Sequence, residues 1–153
     1  MRYLETLVPP PLVALLIGGG MWLLATRFPW IGFDFPERRL VAGLIALVGG
    51  LIDVTGVVTF LRARTSVNPL RPEKASAVVS AGIFGITRNP MYVGLLFVLT
   101  GWFVYLGAWS AIVGPIGFVA YIHRFQILPE ERALAAKFGE EYRAYLARVR
   151  RWL

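Results

Sequence analysis

Long uncharged runs alternate with short polar segments along this chain, and the runs have the length of a bilayer crossing. Thr6 to Thr26 is 21 consecutive residues without a charge, enough to traverse a hydrocarbon core about 30 Å thick. The pattern predicts a first helix over roughly Pro10 to Thr26, with Gly18, Gly19 and Gly20 offering a close packing surface. Arg2 before an apolar stretch has the outline of a secretory leader. No small-x-small cleavage site follows, however, so the segment is read as a retained helix. A loop with Trp30, Asp34, Glu37, Arg38 and Arg39 leads to a second helix over roughly Leu40 to Leu61, whose only charge is Asp53. Gly43, Gly49, Gly50 and Gly56 along it would let neighbouring helices approach closely.

Residues 62 to 90 are polar and rich in turn formers: Asn68-Pro69, Arg71-Pro72, Gly82, Gly85 and Asn89-Pro90. The next uncharged run, Asn89 to Ile122, has 34 residues. As one helix it would measure about 51 Å at about 1.5 Å per residue, well beyond the hydrocarbon thickness. It must fold back, and Gly107-Ala108, flanked by Tyr105 and Trp109, is the natural hairpin, with aromatics at interface depth. Each arm is then short, so the fourth helix is expected to run on through His123 to Ile127. From Pro129 the tail reads as an amphipathic helix. Proline suits its first position, Glu130 and Glu131 suit the positive end of its dipole, and Leu134, Phe138, Tyr142, Tyr145 and Val149 form one stripe.

Basic residues then orient the chain. Segment 62–90 holds five, Arg62, Arg64, Arg71, Lys74 and Arg88. The tail holds seven, Arg124, Arg132, Lys137, Arg143, Arg148, Arg150 and Arg151, and the 105–109 turn holds none. The positive-inside rule places both basic segments in the cytoplasm, together with both termini if there are four spans. The expected architecture is thus a single all-α integral membrane domain, 1–153. It comprises two helices in 1–61, a cytoplasmic loop 62–90, a tight hairpin of helices three and four in 91–128, and an amphipathic cytoplasmic helix 129–153. A bacterial inner membrane would suit it.

Composition agrees and removes several functions. Of the 153 residues, 57% are hydrophobic and 16% charged, against about a quarter charged in a soluble domain. With no cysteine there is no disulfide framework, thiolate zinc site, iron–sulfur centre or thiol nucleophile, and no metal site is expected. The formal charge of +7 sits beside apolar spans, which suits anionic lipid headgroups rather than nucleic acid.

Two polar segments flank the predicted hairpin and must therefore lie on the same side: Gly82-Ile-Phe-Gly-Ile-Thr-Arg-Asn-Pro-Met-Tyr-Val-Gly94 and the stretch from Pro129 to Tyr145. Within them stand Arg88-Asn89-Pro90-Met91-Tyr92-Val93-Gly94, Glu130-Glu131-Arg132-Ala133-Leu134, and Phe138-Gly139-Glu140-Glu141-Tyr142 with Tyr145, Val149 and Arg151. Together they resemble the membrane methyltransferase superfamily of isoprenylcysteine carboxyl methyltransferases and phospholipid N-methyltransferases. The resemblance covers about residues 65 to 153. Two positions depart from the family pattern: Asn89 stands where the family usually has histidine, so an imidazole base is missing, and Ile83 stands where it often has proline.

The resemblance implies an S-adenosylmethionine-dependent methyltransferase with S-adenosylhomocysteine as product. Its lipophilic acceptor, a prenyl-cysteine-like carboxylate or a lipid amine, would enter from the bilayer at the cytoplasmic face. Arg88, Asn89 and Glu130 become the candidate catalytic residues. Arg88, Asn89, Tyr92, His123, Glu130, Glu131, Tyr142 and Tyr145 become candidate cofactor ligands, and Asp53 and Arg151 candidate substrate contacts. Guanidinium suits the cofactor's carboxylate, Glu130 or Glu131 its ammonium or ribose, and the tyrosine rings its adenine or sulfonium.

Plainer roles exist for each residue. The glutamates could simply complement a helix dipole, Arg88 could be a flanking cation, and Tyr142 and Tyr145 could be packing residues. His123 could be interfacial rather than aligned with Gln126 and Glu130 on one face. Asp53, an intramembrane carboxylate, could pair structurally. Two rival functions follow: a sterol-reductase-like oxidoreductase, for which the chain is short, and a non-enzymatic membrane subunit or small transporter using Asp53 and His123.

Overall fold

A computed structural model describes residues 5, 7–28, 32–62 and 77–153. The expectations resting on Trp30, Arg64, Thr65, Asn68-Pro69, Arg71-Pro72 and Lys74 lie outside the described residues. Among the described residues, five α-helices carry the fold: α1 (Pro10–Arg27), α2 (Arg38–Arg62), α3 (Pro90–Leu106), α4 (Val113–Ile122) and α5 (Leu128–Arg148). Short 3₁₀ turns, Gly82–Gly85 and Trp109–Ile112, precede α3 and α4, and a π-helical turn, His123–Ile127, joins α4 to α5. Three stretches are long and apolar enough to cross a membrane, Pro10–Arg27, Arg38–Arg62 and Trp109–Arg148, and Pro90–Leu106 is a shorter apolar helix. In Trp109–Arg148 the apolar character ends at Ile127. From Glu130 on, α5 is predominantly polar.

Helix α3 is central. Its contact with α2 is made by small residues at which no side chain fits. A Cβ on Gly49 would lie 2.6 Å from the Gly94 carbonyl oxygen, and one on Gly101 would lie 2.7 Å from that of Ala42. Such contacts give dispersion energy where lipid chains offer no hydrophobic driving force between helices. On its other side α3 meets α1 and α4 through Val13, Met21, Tyr92, Leu99, Phe103, Phe118 and Ile122. The leucines of α1 and α2 that point away from these contacts, such as Leu15, Leu16, Leu44, Leu47 and Leu51, are exposed and suit a lipid surround.

The α3–α4 reversal falls at Gly107, as the pattern predicts. Gly107 takes φ 62°, and its N–H donates to the Phe103 carbonyl 3.2 Å away. In addition, Arg38 folds over this end, with Nη1 donating to the Tyr105 carbonyl at 2.5 Å and the Val104 carbonyl at 3.3 Å. A cation on the negative end of a helix dipole is favourable, and a side chain at Gly107 would collide with it.

The fourth helix runs on through His123 to Ile127 and Pro129 stands in the first turn of α5, both as expected, with no break between them. The helix continues through Pro129 because the π turn before it loosens the ladder where proline has no N–H and its ring would strike the preceding turn. The tail's apolar stripe is not continuous, because Gly139 (φ 53°, ψ −122°) breaks the helical path and resets the phase between Phe138 and Tyr142. Only Tyr142 and Tyr145 of the five predicted stripe residues are fully buried.

The α2–α3 seam generates a test. Gly49→Leu should overpack the interface, costing about 1–3 kcal/mol and lowering the melting temperature in detergent. Gly50→Leu, with nothing within 4 Å of an added Cβ, should leave it unchanged.

Candidate functional site

The N-terminal end of α3 is fixed by a short extended crossing. Thr87, fully buried, pairs in parallel with Arg150, the Arg88 N–H donates to the Arg150 carbonyl (2.9 Å), and the Asn89 side-chain amide donates to the Arg151 carbonyl (2.8 Å). Pro90 occupies the first helical turn, where its missing N–H costs nothing. The last residues of the chain are thereby strapped beneath the start of α3, and Trp152 packs against the core.

On this frame sit the charges. Glu131 receives two arginines: Arg151 binds it through both Nε (3.0 Å) and Nη2 (2.8 Å), and Arg88 approaches with Nη2 at 3.4 Å. The side chains of Arg88 and Glu131 are only 11% and 14% exposed. The Nε of Arg88 is buried and makes no hydrogen bond among the described residues. Beside this pair, the Tyr92 hydroxyl donates to Oε1 of Glu130 at 2.5 Å. Burial pushes the Glu130 pKa up to about 8; the Tyr92 hydrogen bond opposes the rise and the Glu131 carboxylate adds to it. The tyrosines of α5 close one side, with ring centroids 5.9 Å apart, and the Tyr145 hydroxyl donates to the Phe84 carbonyl at 2.7 Å. Burial raises both of their pKa values, Tyr145 to about 12, so both phenols stay protonated at neutral pH.

The structure therefore brings together Arg88, Asn89, Tyr92, Glu130, Glu131, Tyr142, Tyr145 and Arg151. Two candidates take no part in these contacts. His123 makes no hydrogen bond or ion pair with any described residue. Its proposed alignment with Gln126 and Glu130 assumed α-helical spacing across 123–130, and the π turn inserts an extra residue into that register. Gln126 turns instead to the N-terminal segment, its amide donating to the Val8 carbonyl at 2.7 Å. Asp53 lies against Gly94, with Oδ1 buried and unpartnered among the described residues. Gly94 and Tyr92 are two positions apart, about 200° around the helix, so Asp53 and Glu130 stand on opposite sides of α3.

Sequence reasoning missed Thr87 and the main chain of Arg150 and Arg151. It also missed Glu5, which receives Arg124 (3.1 Å) and Arg132 (2.5 Å) across the π turn. The hydroxyl two residues before Asn89-Pro90 was a readable turn signal; it accepts from the Asn89 N–H at 3.2 Å. Glu5 had no local signal, because its partners lie more than a hundred residues away.

Long apolar helices with a cluster of ion-paired, hydrogen-bonded side chains at one end define an integral membrane protein with a polar site beside the spans. Residues 38–141 match the phospholipid methyltransferase family, and the chain belongs to that family. The match begins at α2, earlier than the motifs alone indicate. Protein-S-isoprenylcysteine O-methyltransferase B of Arabidopsis thaliana is 30% identical over 106 residues, 67% of this chain and 52% of the plant protein. The chain thus spans about half the length of that relative. An uncharacterized protein of Haemophilus influenzae is 49% identical over 63 residues, 41% of this chain and 100% of that protein. No solved structure matches the chain.

Removing the shared carboxylate should be costly. A buried pair stripped of one partner loses about 3–5 kcal/mol, and because Arg151 is one-third exposed the expected loss for Glu131→Ala is nearer about 2 kcal/mol. Glu140→Ala, which breaks a surface pair with Arg143, should cost less than about 0.5 kcal/mol. Thermal unfolding of the two variants in one detergent measures the contrast.

Proposed function

We propose that the chain is an S-adenosylmethionine-dependent methyltransferase acting on a lipophilic acceptor at the cytoplasmic face of a membrane. The observation that carries this reading is the placing of an unpartnered buried guanidinium nitrogen, Arg88 Nε, near a buried carboxyl, Glu130. These are a donor and an acceptor for the two ends of an amino-acid zwitterion. When bound, the cofactor supplies a methyl group on a sulfonium, which passes to the acceptor's lone pair while the bonding electrons stay on sulfur.

The residues divide the work. Glu131 is satisfied by Arg88 and Arg151, which leaves Glu130 for the cofactor's ammonium. Tyr92 holds Glu130 in place through its hydroxyl. The faces of Tyr142 and Tyr145 suit adenine or a sulfonium. In-line transfer needs alignment and exclusion of water rather than a covalent enzyme nucleophile. Asn89 holds the Arg151 carbonyl and brings no base to the site. A carboxylate acceptor needs none, whereas an amine acceptor would have to lose a proton. The plant relative's name supports the first acceptor class and the family's name the second. We take the chain to have four spans, α3 and α4 forming the hairpin, with both termini cytoplasmic because the basic residues gather at that end.

The first test is ligand binding in detergent. S-adenosylhomocysteine should raise the wild-type melting temperature and fail to do so with Arg88→Ala or Glu130→Ala. Stabilisation by a nicotinamide dinucleotide instead would install the reductase reading, and stabilisation by neither would favour a non-enzymatic subunit. Radiolabelled methyl donor with a total lipid extract then identifies the acceptor by which lipid becomes labelled.

A second test follows from Glu130. Its raised pKa means that the free site is largely protonated at neutral pH, and an ammonium beside it favours the ionised form. Binding should therefore release close to one proton at pH 7. Affinity should rise by nearly tenfold per pH unit up to about pH 8 and then level off. Calorimetry in buffers of different ionisation enthalpy reads the proton, and Glu130→Gln should abolish the pH dependence.

A further inference from the structure

Along the α3 surface from Leu95 to Tyr105, α1 and α2 splay apart and leave an open groove of about 930 Å³. That is within the range of about 300–1,000 Å³ typical of small-molecule sites. Its lining is almost wholly apolar, with Gly19 and Trp22 from α1, Gly43 and Ala46 from α2, and Leu99 and Trp102 from α3. The single charged residue on it is Arg39. Its neighbour Arg38 is committed to Asp34 and the end of α3. Arg39 is exposed and makes no ion pair or hydrogen bond among the described residues. Gly19 and Gly43 add a second observation: an added Cβ at either would meet nothing within 4 Å. Contact between the helices of this chain therefore does not account for their smallness.

We infer that this groove binds one phospholipid of the leaflet at the Gly107 end, its acyl chain lying between α1 and α2 and its phosphate on Arg39. An apolar trough with one cation at its end matches an amphipathic molecule with an anionic head. Trp22, Trp102 and Tyr105 beside that cation are the residue types that settle at headgroup level. Charge also disfavours a second copy of this chain. In a parallel two-fold dimer, the Arg27 and Arg39 of the incoming helices would arrive at the level of this Arg39, cation against cation.

The test is native mass spectrometry of the full chain released from nanodiscs of phosphatidylglycerol. The wild type should retain one phospholipid. Gly43→Leu, which fills the groove, should lower the lipid-bound fraction at least tenfold, and Arg39→Gln should lower it severalfold at equal activation energy. Should Gly43→Leu fail to fold, Gly19→Leu on the opposite wall carries the same expectation. An unchanged bound fraction in the folded groove-filling variant overturns the proposal. So does a dimer peak that the variant abolishes, since that would make a second copy the occupant. S-adenosylhomocysteine binding should persist in every variant, so the outcome is read independently of the methyltransferase assignment.

Discussion

A buried carboxylate must be neutralised where it sits, and Glu131 is neutralised from two directions at once. Arg88 comes from the start of α3 and Arg151 from the end of the chain, while Glu131 itself stands in the first turn of α5. Three segments distant in sequence are thus held to one point by an interaction whose strength depends on exclusion from water. The rest of the site is built around that point. Asn89 and Thr87 reach the Arg151 carbonyl because the arginine is already anchored, and Glu130, the residue before Glu131 on α5, is presented to Tyr92 in the first turn of α3.

This arrangement divides charge in a way that suits the proposed chemistry. The arginine pair and Glu131 leave one positive charge uncompensated, and burial holds Glu130 toward its neutral form. On the proposed reading that suits an anion at Arg88 and a cation beside Glu130. The π turn just before α5 belongs to the same design. It carries a proline through the helix and is held from outside by the N-terminal segment, through Gln126 to Val8 and through Arg124 and Arg132 to Glu5. Glu5 and Val8 therefore help to hold the helix that carries Glu130 and Glu131.

The two ends of α3 are specialised differently. One meets the polar cluster, the other is covered by Arg38 and the aromatic group of Phe33, Phe103 and Trp109. Between them, glycines on α2 and α3 allow backbone-to-backbone contact, which leaves α1 free to pack on α3 and α4 and opens the groove at Arg39.

Apolar helices, the reversal at Gly107 and the meeting of the two polar segments were legible because they follow from one-dimensional quantities. Hydrocarbon thickness against run length forces the reversal at Gly107, and a hairpin necessarily returns its two flanks to the same side. The family resemblance then attached a chemistry to Arg88, Tyr92 and Glu130. What the tertiary structure decided was everything that depends on rotation about a helix axis or on distant partners. The π turn displaced His123 from the register that α-helical spacing assigned to it, Gly139 broke the tail's stripe, and the two-residue offset between Tyr92 and Gly94 put Asp53 on the side of α3 away from Glu130. The different surroundings of the two glutamates were also set in three dimensions. Adjacent carboxylates are alike in sequence, and only distant partners separate them, Arg88 and Arg151 pairing with Glu131 while the Tyr92 hydroxyl meets Glu130.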